Sequence, residues 1–500
     1  MTVRAIINNL ECCMKNSGEE AIRQNIWPAM LNGLDSDSSA VKRGAANSMR
    51  VRDVRKLHSD GFEKVGSPAV HHQPNDLAKD RPYCLTEPLV TYKYDHNLAR
   101  EEKVIITVKT TLQLHRNIRQ EEQQLRARPD IFGRDRTRNY VHGLVAAIPL
   151  VHDQLDWTLR NSDWAFSALE PYSLDAWGSM VALAGASYLR LIDMDTGVET
   201  PCRHPWLCQV HSVQFSANGK RLLAASTGFD AVIEFDTASG DVTWEWFAWE
   251  NGFDRSMLGH YVVRLPEKRD ALVASGQEAI YIDDPSKFEE GIATRLIPAH
   301  LNSARYDSDG HILVSMFHQG TGIIIDRHTG HFREIVSGLI NPHKLERRRQ
   351  GGYYISDTRA GQLVLVDEEY RREREIIFDG LPGLERSETL SEFLQNTTEI
   401  NDDLYACVDI HRNSIWLIDA KRRKYRGIKF PPEWSLHDVV CVGEDEMFRI
   451  GELVGTVFGR VEAAEQSGMK LIRHFSTDGA EVANLILDAQ GLAVGLDVEI

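Results

Sequence analysis

Five histidines recur at a nearly constant spacing through the second half of this 500-residue chain. They are His211, His260, His300, His343 and His437. The successive gaps are 49, 40, 43 and 94 residues, the last being close to two periods. Each histidine opens or adjoins a short apolar run, as in VHSVQF and SLHDVV. A period of about 40–50 residues is typical of β-propeller blades, which are four-stranded sheets set around a central channel.

Propeller geometry predicts where these side chains meet. The innermost strand of each blade starts at one rim of the channel, so equivalent positions in successive blades form a ring. We therefore expect the five imidazoles to converge at one mouth of the channel. Extrapolation to the blades that lack a histidine places residues 168–170 and 396–399 at the same rim, where a carboxylate would join the imidazoles.

A set of aspartates recurs with the same period as the histidines. A mostly apolar pair followed by aspartate closes the expected third strand of each repeat, at Asp193, Asp236, Asp283, Asp326, Asp367 and Asp419. From histidine to aspartate the distance is 25, 23, 26 and 24 residues in four repeats. Turn residues follow in several of them, as in Asp195-Thr196-Gly197, which a hairpin requires. These aspartates are predicted to form turns and not to bind ligands.

The repeats predict a mainly β chain folded as a seven-bladed β-propeller, with six or eight blades as alternatives. The expected blades are near 160–208, 209–257, 258–297, 298–340, 341–393, 394–434 and 435–475. Residues 482–487 and 492–498 are candidate strands that close the ring beside the first blade. The propeller would occupy residues 156–500.

Residues 1–155 do not follow the blade period and are predicted to form an irregular α+β segment. Strand-like alternation occurs at 88–93 and 103–113, and a charged helix is expected over 111–128, ending before Pro129. If this segment caps the channel mouth, it would supply substrate contacts and exclude water.

Composition limits the partners of the chain. Lys plus Arg number 57 against 73 Asp plus Glu, a net charge of −16, which argues against nucleic-acid binding through phosphate contacts. The basic stretch at 42–56 is a local exception. The seven cysteines form neither a disulfide framework nor a zinc-binding pattern, and no apolar run spans a membrane. We expect a cytoplasmic protein with a small-molecule substrate, no nucleic-acid or membrane partner, and an oligomeric state that the sequence leaves open.

Strand direction adds further residues to the histidine rim. The second strand of a blade returns to the rim where the first began, so the loop between the second and third strands lies there. Those loops carry imidazole, carboxylate and guanidinium groups, which suit acid–base, nucleophilic or metal-assisted chemistry. The loops are Gln277-Glu278, His318-Gln319, Asp357-Thr358-Arg359, Asp409 to Arg412 with His411 between them, and Glu452.

Two stretches resemble the cofactor-independent arylsulfotransferases. The first runs from His300-Leu301-Asn302-Ser303 through His318-Gln319 to Thr329-Gly330, and is similar to that family's H-x-N-S, Y-D, S-x-x-H-Q and I-D-R-x-T-G pattern. The second is Gly240 to Trp249, similar to a T-G-x-V-x-W-E-W segment. Together they cover about 60 of the 500 residues. The resemblance implies a metal-free transfer of a sulfuryl group to a histidine.

By this resemblance His300 and His318 would bind or stabilise the sulfate. The family's acceptor histidine stands in an E-H-T-W setting, whereas the late rim histidine here, His437, stands in Ser-Leu-His-Asp, a departure that puts the nucleophile in doubt. We assign catalysis to His300, His318, His437, Arg359 and Asp357. We assign substrate binding to Asn302, Gln319, His411, Arg412 and Glu278.

A histidine ring also suits a metal. Three or four neutral imidazoles around one axis would bind iron, zinc or copper and leave open positions for substrate or water. The candidate ligands are His211, His260, His300, His343 and His437. Glu170, Glu278 or Glu399 would then orient them or act as a general base, and the chain would be a metal-dependent lyase, oxygenase or hydrolase.

Two further readings stay open. A metal-free alkyl or aryl transferase of specialised metabolism would use the same rim to activate a phenol or a carboxylate. A non-catalytic binding propeller would use its histidines to tie blades together through backbone hydrogen bonds. The cofactor is therefore unknown from the sequence: none for sulfuryl transfer, and iron, zinc or copper for a ligand ring.

Overall fold

The computed structural model describes residues 84–111, 142–186, 188–288, 291–308, 310–384, 392–466, 469–487 and 493–498. The basic stretch at 42–56 and, apart from Thr111, the helix expected over 111–128 lie outside these residues.

The described residues are mainly β. In chain order the strands are β1 Leu85–Pro88, β2 Lys93–Tyr94, β3 Lys103–Thr110, β4 His142–Pro149, β5 Trp164–Leu169, β6 Pro171–Trp177, β7 Met180–Gly185, β8 Leu189–Asp193, β9 Glu199–Pro201, β10 Val210–Phe215, β11 Arg221–Ser226, β12 Ala231–Asp236, β13 Val242–Phe247, β14 Tyr261–Val263, β15 Ala279–Tyr281, β16 Leu301–Tyr306, β17 Ile312–Met316, β18 Thr321–Ile325, β19 Phe332–Val336, β20 Leu345–Arg347, β21 Tyr353–Asp357, β22 Gln362–Val366, β23 Arg372–Ile377, β24 Leu394–Asn401, β25 Leu404–Asp409, β26 Ser414–Asp419, β27 Lys424–Lys429, β28 Ser435–Val440, β29 Arg460–Gln466, β30 Met469–Phe475, β31 Glu481–Leu487 and β32 Ala493–Val498.

Helices are few in this part of the chain. The α-helices are α1 Pro266–Ala274 and α2 Glu444–Glu452. Short 3₁₀ helices lie at Leu89–Thr91, Thr227–Phe229, Ala248–Glu250, Pro285–Phe288 and Thr294–Leu296. No helix among the described residues is long and apolar enough to cross a membrane.

Of the seven antiparallel sheets in the described residues with the strand order of propeller blades, six form the blades of the ring and the seventh is β29-β30-β31-β32. Blade 1 is β6–β9, blade 2 is β10–β13, blade 3 is β16–β19, blade 4 is β20–β23, blade 5 is β24–β27, and blade 6 is β28-β3-β4-β5. In blades 4 and 5 an extra strand, β1 or β2, adds in parallel to the outer edge. The first strand of each blade is its inner strand.

Polar side chains join the neighbouring blades and close the ring. The contacts run around it in order: Phe215 N to Asp175 Oδ2 at 2.8 Å, Ala304 N to Ser212 Oγ at 2.9 Å, Leu345 N to Ser303 Oγ at 3.2 Å, Ser356 Oγ to Thr397 Oγ1 at 2.9 Å, Asn396 Nδ2 to His437 O at 3.1 Å, and Ser173 Oγ to Asp438 Oδ2 at 3.0 Å. The sixth contact returns to blade 1. A closed ring of radially arranged sheets is a β-propeller, so the predicted fold class is confirmed.

Apolar packing follows the same order. The buried hydrophobic residues fall into clusters that each lie between two neighbouring blades. The strand sequences explain this, because runs such as VIITV in β3 and LVAAI in β4 are apolar on both faces. A sheet buried on both faces reads as a continuous apolar run and not as an alternation.

The described residues form six blades, one of the alternatives considered, and not the preferred seven. The expected blade over 258–297 is instead a parallel pair, β14 and β15, joined through α1. It stands outside the ring, because Ser212 of blade 2 bonds directly to Ala304 of blade 3. Parallel strands need a crossover, here a helix, so this segment has the topology of an insertion between blades.

Ring closure also differs from the prediction. Of the expected seventh blade, 435–475, only β28 enters the ring, where it pairs with β3. The candidate closing strands near 482–498 form β31 and β32, which pair with β29 and β30 in a separate sheet. Blade 6 therefore joins residues from both sides of the expected domain boundary at 155. The division of the chain into two domains at residue 155 stays a prediction.

The turns at the far end of the blades confirm that the repeated aspartates of the ring form turns. Asp193, Asp236, Asp326, Asp367 and Asp419 each accept hydrogen bonds from backbone N–H groups two to four residues later. Asp283 differs, because it follows β15 of the insertion and pairs with Lys287. The aspartates of the ring are turn formers, as expected.

Candidate functional site

The inner strand of every blade carries a β-bulge near the end at which it starts. In blade 4, for example, His343 and Lys344 both bond to the backbone of Ser356. A bulge re-aims the extra side chain and is common beside functional sites. The bulged residues are Tyr172, His211, Asn302, Lys344, Asn396 and His437. We call this end of the channel the rim.

The five histidines do not share one register, contrary to the prediction. His211 and His437 are bulged residues, but His343 stands one residue before its bulge and His300 stands two before. His300 has a φ of 51°, the same left-handed backbone as Glu170 (39°) and Gln209 (50°) at the corresponding positions. Non-glycine residues held in this region often mark functional sites.

At the rim, a tyrosine ring of blade 1 packs between two imidazoles from the neighbouring blades 2 and 6. The Tyr172 ring stacks on both His211 and His437, with centroids 4.9 Å apart in each case. The two imidazoles are 5.3 Å apart. Lys109 Nζ lies 3.9 Å from the centroid of the Tyr172 ring, a cation–π contact. All four side chains are buried.

A chain of ring contacts continues from there around the rim. His300 lies 6.0 Å from His211 and stacks on His318 at 5.2 Å. The remaining contacts are Phe317 to His343 at 5.3 Å, His343 to Phe393 at 5.8 Å, and Phe393 to His411 at 5.4 Å. The rim therefore brings together His211, His300, His318, His343, His411 and His437, lined with aromatic carbon.

Hydrogen bonds to carbonyl groups fix the tautomers of two of these histidines. His437 Nδ1 is 2.6 Å from Tyr172 O, and His318 Nδ1 is 2.9 Å from Ile297 O. A carbonyl oxygen only accepts, so Nδ1 must carry the proton in both rings. In the neutral imidazole Nε2 is then the basic nitrogen. His343 Nδ1 lies 2.6 Å from Thr358 Oγ1, which can either donate or accept.

Burial lowers the pKa of His318, and the nearby charge of Arg359 lowers it further, against a smaller raising effect of the hydrogen bond to Ile297. His318 is therefore a neutral imidazole at neutral pH. It is also only half-buried, whereas His437 is 1% exposed. A neutral, accessible imidazole with a defined basic nitrogen can act as a base or as a nucleophile.

Buried and half-buried charged side chains of the inner strands lie next to these rings. They form what we call the ionic floor: Lys344, Glu346, Asp438, Arg305 and Asp175. Lys344 Nζ is 3.5 Å from Glu346 and 4.0 Å from Asp438, which belongs to blade 6. The charge of Arg305 is stabilised by Glu346, Asp438 and Asp175. Burial raises the pKa of Asp175 to about 6. Charges are buried only when they are paired in this way.

Several predicted site residues lie near the rim but are committed to the fold. Asp357 is buried and accepts from Ile340 N at 2.6 Å, and Gln319 Nε2 donates to Pro298 O at 3.0 Å. Arg412 is buried between Glu392 and Asp409, at 2.6 and 2.7 Å. These contacts hold loops, and they give Asp357 and Arg412 structural partners in place of a substrate.

Other predicted residues are farther from the rim. His260 and Glu278 lie in the insertion, where His260 Nε2 is 2.8 Å from Glu278 Oε2 and the Glu278 side chain is 78% exposed. Glu399 accepts from the N–H groups of Arg349 and Asp403 at the other end of its strand. Within the part of the chain that the structure describes, no three His, Cys, Asp or Glu side chains form a group that could hold a metal ion.

Sequence reasoning missed Tyr172 and Lys344, which occupy the same bulge position as His211. The available signal was their position at the start of an inner strand. Comparing the repeats by their histidines alone leaves these two positions out. It also missed Asp230, in the loop after β11. Burial raises the pKa of Asp230 to about 7, although backbone N–H groups of Ala299 and Leu301 oppose this.

Comparisons with known proteins add little beyond the fold. No protein-family model matches the chain, and no curated protein matches it. Among solved structures, a virginiamycin B lyase from Staphylococcus aureus has a TM-score of 0.34 at 12% identity over 66% of this chain and 84% of that chain. A streptogramin B lyase has a TM-score of 0.35 at 11% identity, covering 66% and 83%. A Bacteroides caccae protein of unknown function has 0.35 and 11%, covering 80% and 94%. At these scores the likeness says nothing about activity, and the assignment to the propeller class rests on the sheet topology.

Proposed function

We propose that this chain is an enzyme that transfers a group to or from a small aromatic substrate at the rim of its channel. The transferred group is an anionic one such as sulfuryl, as the resemblance to arylsulfotransferases implies. The observation that carries the proposal is the pair of rim imidazoles, His318 and His437, whose Nδ1–H groups are bound to backbone carbonyls. Each presents Nε2 as its basic nitrogen.

The surroundings of these imidazoles suit an aryl group. Tyr172, Phe317 and Phe393 line the rim between the histidines. Aromatic rings stack on one another with centroids about 4.5–7 Å apart, so partly exposed rings such as Phe317 and Phe393 favour an aryl substrate. The ionic floor adds charged groups next to these rings, Lys344 and Arg305 among them.

His318 is the proposed acceptor of the transferred group. Its Nε2 would attack the sulfur of an aryl sulfate, forming an N–S bond as the S–O bond to the aryl group breaks and the phenolate leaves. A second phenol would then attack the same sulfur, forming a new S–O bond as the N–S bond breaks. Its proton would pass to the phenolate released in the first step, and His318 would return to the neutral imidazole. His300, stacked on His318 at 5.2 Å, would stabilise the charge that develops there.

The test uses p-nitrophenyl sulfate as donor and phenol as acceptor, with release of nitrophenolate followed by absorbance. We expect turnover by the wild type and a loss of about 10²-fold or more in His318→Gln. The matched control is His328→Gln, an exposed histidine in a far-end turn. Intact mass after an alkaline quench would detect the sulfuryl adduct. Turnover that survives in His318→Gln would contradict the role of this residue.

A non-catalytic binding propeller is the second candidate, and one observation favours it. The bond from His437 Nδ1 to Tyr172 O crosses from blade 6 to blade 1, which is how a histidine ties blades together. Under this reading His437→Gln lowers the melting temperature and the wild type turns over no substrate. Elemental analysis tests the metal-dependent reading, since stoichiometric iron, zinc or copper would contradict metal-free transfer.

A further inference from the structure

The loop between β11 and β12 places one carboxylate against the backbone that carries His300. Asp230 Oδ2 accepts from Ala299 N at 2.7 Å, and Oδ1 accepts from Leu301 N at 3.0 Å. Asp230 is fully buried. It belongs to blade 2, whereas the backbone it binds enters blade 3. The carboxylate therefore brackets His300 from the neighbouring blade.

Other hydrogen bonds hold the same backbone from both sides. Thr227 Oγ1, in the same loop as Asp230, donates to Leu301 O at 2.6 Å. From within blade 3, His318 N donates to Ala299 O at 3.0 Å, and Phe317 N donates to His300 O at 3.3 Å. The result is a backbone segment fixed on each side of the His300 Cα.

Such fixing is needed because the backbone at His300 is in the left-handed region, with φ of 51°. Residues with a Cβ avoid this region unless surrounding contacts impose it. In the relaxed backbone the imidazole would leave its place against His318. The bracket thus sets the geometry of the stacked pair in the proposed site.

We propose that Asp230 is the positioning residue of the rim: its carboxylate, by binding the N–H groups on either side of His300, holds the His300 imidazole against His318. The catalytic meaning of this inference rests on the proposed function. The positioning itself does not, because the reactivity of the two imidazoles is measurable without any substrate.

The experiment measures the carbethoxylation rates of His300, His318 and His328 by diethyl pyrocarbonate, located by peptide mass spectrometry. The variants are Asp230→Asn, which keeps one acceptor oxygen, and Asp230→Ala, which keeps none. The control is Asp326→Asn, whose carboxylate also accepts two backbone N–H groups but in a far-end turn. A further variant, Thr227→Val, removes the uncharged donor to Leu301 O, which holds the same backbone segment.

We expect His300 and His318 to react several-fold faster in Asp230→Ala, with an intermediate change in Asp230→Asn and a smaller one in Thr227→Val. His328 should react at the wild-type rate in all of them, and Asp326→Asn should leave His300 and His318 unchanged. Unchanged rates at His300 and His318 in Asp230→Asn and Thr227→Val would overturn the proposal. So would an equal increase in Asp326→Asn, because that would report general loosening.

Turnover separates this inference from the proposed function. If the wild type transfers a sulfuryl group, Asp230→Asn should lower kcat by up to about 10²-fold with little change in KM, as expected of a misplaced group. If no wild-type turnover is found but the histidine rates change as above, the positioning stands and the proposed function fails. An unchanged kcat in Asp230→Asn, in a protein that turns over and whose histidine rates change, would overturn the catalytic meaning of the positioning and leave the positioning itself in place.

Discussion

The two ends of the propeller hold their aspartates in opposite ways. At the far end Asp193, Asp236 and Asp326 lie in turns, and hydrogen bonds from the turn itself lower their pKa values. At the rim Asp230 and Asp357 bind backbone N–H groups too, but burial outweighs those bonds and raises their pKa values. The far end is arranged for stability, whereas the rim keeps carboxylates in surroundings that disfavour their charge.

Replacing an arginine of an ion pair gives the largest expected difference in unfolding free energy between the two ends. Arg412→Met should cost about 3–5 kcal/mol of unfolding free energy, because it leaves the buried Glu392 and Asp409 without their guanidinium. Arg422→Met, at a 75% exposed side chain paired with Asp419 across 3.6 Å, should change it by less than about 1 kcal/mol. Chemical denaturation measures both. Equal losses would show that the rim pairing is not special.

The pH dependence of stability should have opposite signs at the two ends. Because the pKa of Asp230 is raised to about 7 in the folded state, its contribution to stability falls as pH rises from about 4 to 7, by at most about 1.4 kcal/mol per unit. Asp326, with a lowered pKa, contributes stability above about pH 4 that is lost on acidification.

Unfolding free energies of Asp230→Asn and Asp326→Asn at several pH values test this. The difference between wild type and Asp230→Asn should shrink as pH rises from about 4 to 7, the window between the unfolded and folded pKa values of the carboxyl. The difference for Asp326→Asn should stay flat there and shrink only on acidification. Matching profiles for the two variants would contradict the distinction.

A histidine of β30, buried against the outer strand of blade 6, gives a further effect of acid on stability. His474 Nδ1 lies 2.9 Å from Ser167 Oγ, and burial lowers the pKa of His474 to about 3. A histidine with a lowered folded pKa contributes stability that is lost as pH falls below its unfolded value of about 6.5. Wild type should therefore lose stability from about pH 6.5 downward more steeply than His474→Gln. Parallel melting curves of the two proteins against pH would disprove this.

Two glycines, one at each end of the propeller, give the smallest expected difference in stability. Gly330, in a far-end turn with φ of 74°, has only Trp246 near its missing Cβ, at 3.9 Å, so Gly330→Ala should cost about 1–2 kcal/mol for the left-handed backbone alone. Gly320, at the rim with φ of 64°, would place a Cβ 2.4 Å from Leu339 O, so Gly320→Ala should cost more. Thermal unfolding compares the two. A less stable Gly330→Ala would reverse the expected order.

The sequence predicted the propeller and the turn aspartates, because both follow from a repeat that each blade expresses locally. It did not predict the blade number, since the insertion between β13 and β16 is about as long as one blade. Nor did it predict the registers of His300 and His343. Bulges shift the side chains by one or two residues, and the shift depends on pairing with a second strand that histidine spacing does not report.

Blade 6 gives the protein an unusual order of assembly. Its outer three strands, β3, β4 and β5, are synthesised before the first complete blade, but their inner strand, β28, begins only at Ser435. The ribosome must therefore release residues 170–434 before the earliest strands find their partner. Until then they expose apolar faces and an unpaired edge, both of which promote aggregation of an unfinished chain.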